Sequence, residues 1–347
     1  MGQLMETCGL RNPDPVLLLH SGNVIKVKQA LDAGVDVNEY EELLKCSIYS
    51  NTALMSAAKS GKKEIVEILI NAKADVNLQP KLVVNTHPEI VNTMFTSNEY
   101  FHNKGETALW YATKENHPEI VRLLLDAKAD ANATKTTESP TGSGCICVST
   151  ALSCAVKNGA TEIVKMLIDA GADVNTTGYF ERVRVKQHPK QNNLLYNIDL
   201  QHINDYTSAE SVLMSAARKG PAEIVQILVN AGADANATYR FFGYKNQQRI
   251  VGDSYGNALT LAAQYNQVEN VKILMNAKSD VNIKQPEGAI IIMTSLMHGS
   301  SNGNKEIVQL LIDAKADIRI QNRDGKTALM LAVEKDHKEI IHMLKDD

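Results

Sequence analysis

A segment of constant internal spacing recurs along this 347-residue chain and restricts its fold more than any other feature. Seven copies begin with a triplet similar to Thr-Ala-Leu, at Thr52, Thr107, Thr150, Ser211, Asn257, Thr294 and Thr327. A glutamate lies 12 residues after each start and a leucine 17 residues after it, and an aspartate follows the first six starts at 23 residues. Because the spacing inside the segment does not vary, each copy is predicted to be one structural unit.

Each copy has the pattern of two short helices joined by a turn. Ile65, Val66, Leu69 and Ile70 form an apolar stripe at helical spacing, and only a neighbouring copy could bury it. With a divergent first copy that ends at Asp36, the sequence predicts one all-α repeat solenoid of about eight helix pairs. The predicted units are residues 13–38, 52–77, 107–132, 150–175, 211–236, 257–282, 294–319 and 327–347.

The copies of "TALMSAAKSGKKEIVEILINAKADVN" and the linker "RIQNRDGKTAL" resemble ankyrin repeats, which have a period of about 33 residues. The resemblance implies stacked helix pairs with β-hairpin fingers on one side, and it implies protein binding without fixing a partner. Two features depart from the family. The T-P-L-H motif is absent, and Lys73, Lys128, Lys278 and Lys315 replace a glycine that ends the second helix in a left-handed conformation. A lysine in that conformation should cost about 1 kcal/mol.

Long insertions separate several of the copies. They lie between one copy's final asparagine and the next triplet, at residues 78–106, 133–149, 176–210 and 237–256, and are predicted to lengthen the β-hairpin fingers. Within residues 178–200, "FERVRVKQ" and "LLYNIDL" alternate apolar and polar residues and are predicted to be two strands joined by a polar turn.

Aromatic and basic residues concentrate in these insertions. Since aromatic and arginine side chains are the strongest anchors of protein interfaces, they are the candidate partner contacts of the fingers. The predicted residues are Tyr179, Phe180, Arg182, Arg184, Lys186, Tyr239, Arg240, Phe241, Phe242 and Tyr244. The alternative, that these rings form small cores inside the fingers, stays open.

A second candidate surface follows the first helix of each copy. Basic residues recur seven positions after four successive triplets, and these positions should line the concave groove of the stack. The predicted groove contacts are Lys59, Trp110, Tyr111, Lys114, Lys157 and Arg218. Such a row suits an acidic partner segment, although an ordinary solvated face would have the same composition.

Composition and motifs argue against several other classes of protein. The net charge of −4 gives no global attraction to nucleic acid or membrane, and no apolar run approaches the ~20 residues needed to span a bilayer. Five cysteines and the lack of a secretory signal favour a cytoplasmic protein. Cys145, Cys147 and Cys154 lack a nearby fourth ligand, and no catalytic motif is present. We therefore expect a monomer that is not an enzyme and has no metal or cofactor.

Three functions fit these features. The first is a protein-binding module that uses fingers and groove; the long fingers resemble ankyrin proteins that intracellular bacteria secrete into the host-cell cytosol, or those of large viruses. The second is an inhibitor or immunity-type protein that blocks an enzyme with its long hairpin. The third is nucleic-acid binding through basic and aromatic finger residues, and the acidic net charge argues against it.

Overall fold

The computed structural model describes residues 15–40, 49–82, 102–138, 145–182, 206–245, 248–283 and 293–345. Within these ranges the chain forms 16 helices and nine strands. The helices are Pro15–Leu19 (α1), Val24–Asp32 (α2), Ala53–Lys59 (α3), Lys63–Asn71 (α4), Ala108–Lys114 (α5), Pro118–Asp126 (α6), Ala151–Lys157 (α7), Thr161–Asp169 (α8), Val212–Lys219 (α9), Ala222–Asn230 (α10), Ala258–Gln264 (α11), Val268–Asn276 (α12), Ser295–Asn302 (α13), Lys305–Asp313 (α14), Ala328–Glu334 (α15) and Lys338–Met343 (α16).

The helices pack in two rows. From α3 onward each first helix contacts the next first helix, giving a first-helix row of α3, α5, α7, α9, α11, α13 and α15. The second helices, from α2 to α16, contact one another in the same order. The predicted helical repeat solenoid is confirmed.

The first residue of each triplet begins its helix. Thr52 is the N-cap of α3, and its hydroxyl accepts a hydrogen bond from the Met55 N–H at 3.3 Å. The side chains that start the other six triplets accept the equivalent bond from the N–H three residues later. A Thr, Ser or Asn recurs there because these side chains satisfy an amide that the helix leaves free.

The apolar stripe of each second helix is buried between the units. Ile65, Val66 and Leu69 of α4 are buried, and the matching residues of the later second helices belong to the same continuous core. This burial, which each unit obtains only from its neighbours, is the main stabilising contribution of a repeat stack.

Left-handed residues end most of the second helices. Lys73, Lys128, Lys278 and Lys315 have φ between 60° and 69°, as the replacement of glycine predicted. Gly171 and Gly232 have φ of 87° at the same repeat position, with open space where a Cβ would lie. A side chain therefore meets no steric obstacle from neighbouring residues, and its cost comes from the backbone conformation alone.

Asparagine side chains link the turns of successive units. Asn77 Oδ1 accepts a bond of 2.8 Å from the Asp130 N–H, and its Nδ2 donates to the Lys128 carbonyl at 3.3 Å. The same pair of bonds is made by Asn132, Asn175, Asn236 and Asn282 to the unit that follows each of them. We call this series the asparagine ladder.

The strands lie between the helix pairs. They are Tyr49–Ser50 (β1), Lys81–Leu82 (β2), His102–Lys104 (β3), Thr134–Glu138 (β4), Cys145–Thr150 (β5), Thr177–Arg182 (β6), Tyr206–Ser211 (β7), Tyr239–Lys245 (β8) and Gln248–Gly256 (β9). Strand β1 pairs with β2, β3 to β7 form one antiparallel sheet in chain order, and β8 pairs with β9.

The segment predicted as two strands is seen only in part. Strand β6 covers its start and pairs with β7, with Thr177 opposite Ser211 and Tyr179 opposite Ala209. The second predicted strand, residues 194–200, lies outside the described residues. No helix in the described part of the chain is both long and apolar enough to cross a membrane.

Candidate functional site

The four basic residues of the predicted groove lie along the first-helix row. Lys59, Lys114 and Lys157 are the last residues of α3, α5 and α7, and Arg218 is the penultimate residue of α9. The three lysines are exposed and Arg218 is partly buried. Because these helices pack side by side in this order, the four side chains follow one another along one face, which we call the basic row.

Aromatic rings lie beneath two of these lysines. Lys59 Nζ is 5.4 Å from the centroid of the Tyr111 ring, and Lys114 Nζ is 5.3 Å from that of Trp110. The rings meet edge to face at 5.6 Å, and Trp110 and Tyr111 are only 6% and 5% exposed. A partner on this face would therefore meet the lysines, whose ammonium groups are attracted to the ring faces, before it met the rings.

A buried ion pair supports the two rings. The Tyr111 hydroxyl donates to Glu106 at 2.5 Å, and Glu106 also pairs with Lys135, whose Nζ lies 4.0 Å from the Trp110 centroid. Burial has the larger effect and the hydrogen bond to Glu106 adds to it, and together they raise the pKa of the Tyr111 hydroxyl above its usual range. The hydroxyl therefore stays protonated and acts as a donor. Neither Glu106 nor Lys135 was predicted from the sequence.

A second charged cluster surrounds Arg218. Its Nη2 donates to Glu210 Oε1 at 2.5 Å, and its guanidinium carbon lies 5.6 Å from the centroid of Tyr265. Lys219 Nζ is also 5.6 Å from that centroid, and the Tyr265 ring is 37% exposed. Burial raises the pKa of Glu210, and the nearby charges of Arg218 and Lys157 oppose that rise.

The two clusters share a sequence signal. Glu106 and Glu210 each directly precede the triplet that begins a first helix, and each forms an ion pair with a base from outside its own strand or loop. An acidic residue at this repeat position is the signal that could have marked Glu106 and Glu210 as candidates, although it does not identify their basic partners.

A pocket of about 470 Å³ lies between α7 and α9, at the ends of β5 and β7. Its charged lining residues are Lys157, Glu210, Arg218 and Lys219. Two members of the basic row therefore border a common cavity.

The predicted finger residues divide between two sheets. Tyr179, Phe180 and Arg182 belong to β6 of the five-stranded sheet, whereas Tyr239, Arg240, Phe241, Phe242 and Tyr244 belong to β8 of the separate hairpin. Arg184 and Lys186 lie outside the described residues. Tyr239 is buried, and this burial raises the pKa of its hydroxyl to about 12, so at this position the ring contributes to the core.

Of the three cysteines considered as ligands, Cys145 and Cys147 lie in β5 and Cys154 lies in α7. Cys154 is a free thiol whose pKa is raised by burial. Among the residues that the structure describes, no three His, Cys, Asp or Glu side chains are grouped closely enough to hold a metal ion.

Comparison with known proteins agrees with this architecture. The profile described as "Ankyrin repeats (3 copies)" matches residues 81–178, 186–285 and 259–347, and that described as "Ankyrin repeat" matches residues 49–81. No curated protein matches the sequence. The crystal structure of the human ASB11 ankyrin repeat domain is similar with a TM-score of 0.51 and 20% identity, over 85% of this chain and 98% of that one. Since the family profiles cover most of the sequence, the chain belongs to the ankyrin-repeat family.

Proposed function

We propose that this protein is a protein-binding module that contacts its partner through the basic row and the adjoining strand ends. Ankyrin repeats generally mediate protein–protein interactions. The observation that carries the proposal is that Lys59, Lys114 and Arg218 are each held near an aromatic ring along one row of helices. Cations held in place before binding lose less conformational freedom in a complex than free lysine side chains do.

Charge reversal on the basic row tests this function. Lys114→Glu with Lys157→Glu should weaken binding of a partner captured from source-cell lysate by at least tenfold, because two favourable contacts become repulsive. The matched control is Lys26→Glu with Lys28→Glu, the same charge change on exposed residues of α2. Affinity is measured with the purified partner after circular dichroism has shown that all three proteins are folded. Unchanged affinity of the Lys114/Lys157 variant would remove the basic row from the binding surface.

A second variant tests the contribution of the long hairpin. Replacing residues 178–206 by a short turn removes the segment in which Phe180 and Arg182 are the predicted anchors. If the hairpin contacts the partner, the affinity should fall, whereas equal affinity would restrict the contact to the helices. Inhibition of a captured enzyme by the intact protein alone would favour the inhibitor function. A host-directed role, the cytoplasmic location and the monomeric state stay predictions.

A further inference from the structure

An irregular turn borders the pocket between α7 and α9. Pro221 follows Gly220, which is extended with φ of −75° and ψ of 158°, whereas Gly159 at the same repeat position has φ of 68°. A residue before proline is pushed away from helical conformations, so the turn after α9 opens. Helix α9 runs one residue further than α7 and ends with two adjacent bases, Arg218 and Lys219.

The pocket has an excess of positive charge. Lys157, Arg218 and Lys219 line it, and Glu210 is the one carboxylate among its described lining residues. Glu210 already pairs with Arg218, so the pocket's own carboxylate does not balance the charge of Lys219. A cavity of this kind attracts an anionic group.

Arg218 is positioned to bind such a group. Glu210 holds one of its terminal nitrogens and Tyr265 lies against its guanidinium carbon. Its Nε is buried, and in the described part of the chain it has no hydrogen-bond acceptor, whereas the side chain as a whole is 34% exposed. Guanidinium groups bind carboxylates through two parallel N–H donors, so an arginine that is fixed and still partly exposed favours a planar anion.

We propose that this pocket binds a carboxylate side chain from an acidic segment of the protein partner, with Arg218 and Lys219 as its donors. The partly exposed Tyr265 ring, next to both bases, contacts an apolar side chain beside that carboxylate. The inference rests on the proposed protein-binding function and specifies the chemistry of the partner. A carboxylate is favoured over a phosphate-rich chain because the pocket already contains Glu210, which would repel the more highly charged group.

The test uses the whole 347-residue chain and three labelled decapeptides. One carries Asp and Glu around a central Phe, one has Asn and Gln at the same positions, and one has Lys. Fluorescence anisotropy measures affinity, and the NMR signal of the Arg218 Nε–H reports on the pocket itself. The acidic peptide should shift that signal and bind at least tenfold more tightly than the amide peptide, since only the carboxylate pairs with the bases.

Two variants at one repeat position separate local from general attraction. Lys219→Gln should weaken binding of the acidic peptide about fivefold. Lys335, like Lys219, lies eight residues after the start of its triplet, and Lys335→Gln should change the affinity less than twofold. Arg218→Lys keeps the charge but loses the planar donors, and should also weaken binding.

Several results would overturn the proposal. The proposal is wrong if the acidic and amide peptides bind equally, or if Lys219→Gln and Lys335→Gln have equal effects. It is also wrong if the NMR signal of Arg218 does not move at millimolar peptide. A stronger shift with a single-stranded DNA oligonucleotide than with the acidic peptide would assign the pocket to phosphate instead. If Lys114→Glu with Lys157→Glu still abolishes partner capture, the protein-binding function stands although this inference fails.

Discussion

Asn270 departs from the repeat pattern, and a second departure, Pro221 in the unit before it, explains why. Asn270 is 2% exposed at a position where the other six units with a triplet have isoleucine. Its Nδ2 donates to the Ala217 carbonyl at 3.2 Å and to the Gly220 carbonyl at 3.3 Å. A buried amide is tolerated because its Nδ2 is hydrogen-bonded to two backbone carbonyls of the preceding unit, one of them buried.

Those acceptors are free because of Pro221. In the unit that begins at Thr150, the Gly159 N–H donates to the Val156 carbonyl at 3.1 Å, which closes the turn. In the turn before Pro221, the Gly220 N–H instead donates to Ala216, so the carbonyl of Ala217 loses its usual partner. Asn270 supplies the missing donor from the next unit.

Restoring the common residue should therefore destabilise the protein. Asn270→Ile leaves two carbonyls unpaired and should lower the free energy of unfolding by about 1–3 kcal/mol, more than the gain from burying a larger apolar side chain would offset. In a Pro221→Ala background, where an N–H can close the turn, the loss should be smaller. Urea denaturation of the four proteins measures this coupling. Equal losses in both backgrounds would show that the two residues are independent.

At the scale of the elements, two kinds of polar contact join neighbouring units. The second helices are linked by exposed ion pairs, such as Arg122 with Glu162 at 3.0 Å and Lys165 with Glu223 at 2.7 Å. Exposed pairs of this type contribute about 0–1 kcal/mol each. The asparagine ladder makes two hydrogen bonds per unit to backbone groups of the next turn, so it should couple the units more strongly.

Removal of one ladder residue tests this ranking. Asn175→Ala deletes the bond from the Asp234 N–H, at 2.8 Å, and should cost about 1–2 kcal/mol. Arg319 occupies the same repeat position, and its guanidinium contacts Asp317 within its own turn, so Arg319→Ala should cost less than about 0.5 kcal/mol. Denaturation midpoints give the costs, and hydrogen exchange at Asp234 shows whether the loss is local. A larger loss of stability for Arg319→Ala than for Asn175→Ala would contradict the stabilising role of the asparagine ladder.

At the scale of the whole molecule, the neighbouring unit decides whether a repeat position is buried. Val156 and Val333 lie six residues after their triplet starts, and they are 2% and 55% exposed. The next first helix, α9, packs against α7 and covers Val156. In the described structure no helix follows α15 in the first-helix row.

The same substitution should therefore have different effects at the two positions. Val156→Lys places a charge inside the stack and should cost more than about 3 kcal/mol or unfold the adjacent units, because a buried lysine must be desolvated or neutralised. Val333→Lys should change stability by less than about 0.5 kcal/mol. Thermal unfolding with residue-level hydrogen exchange distinguishes the two results. A large loss at Val333 would show that this face is covered by other parts of the protein.

The charged clusters show the limit of prediction from sequence. Lys59, Lys114, Lys157 and Arg218 could be placed on one face because they recur at a fixed position in a repeat. The pairing of Glu106 with Lys135 could not, since β4, the strand that brings Lys135 beside Glu106, belongs to an insertion of variable length.

By itself, the sequence determined the repeat unit, its helix caps and the left-handed ends of its second helices. These features depend on contacts within one unit or between adjacent copies, and such contacts recur with the repeat. Only the tertiary structure decided that Trp110 and Tyr111 are buried, that β3 to β7 join into one sheet, and that three bases share a pocket with Glu210. Those outcomes depend on how insertions of unequal length fold back onto the stack, and that is not encoded in any repeated pattern.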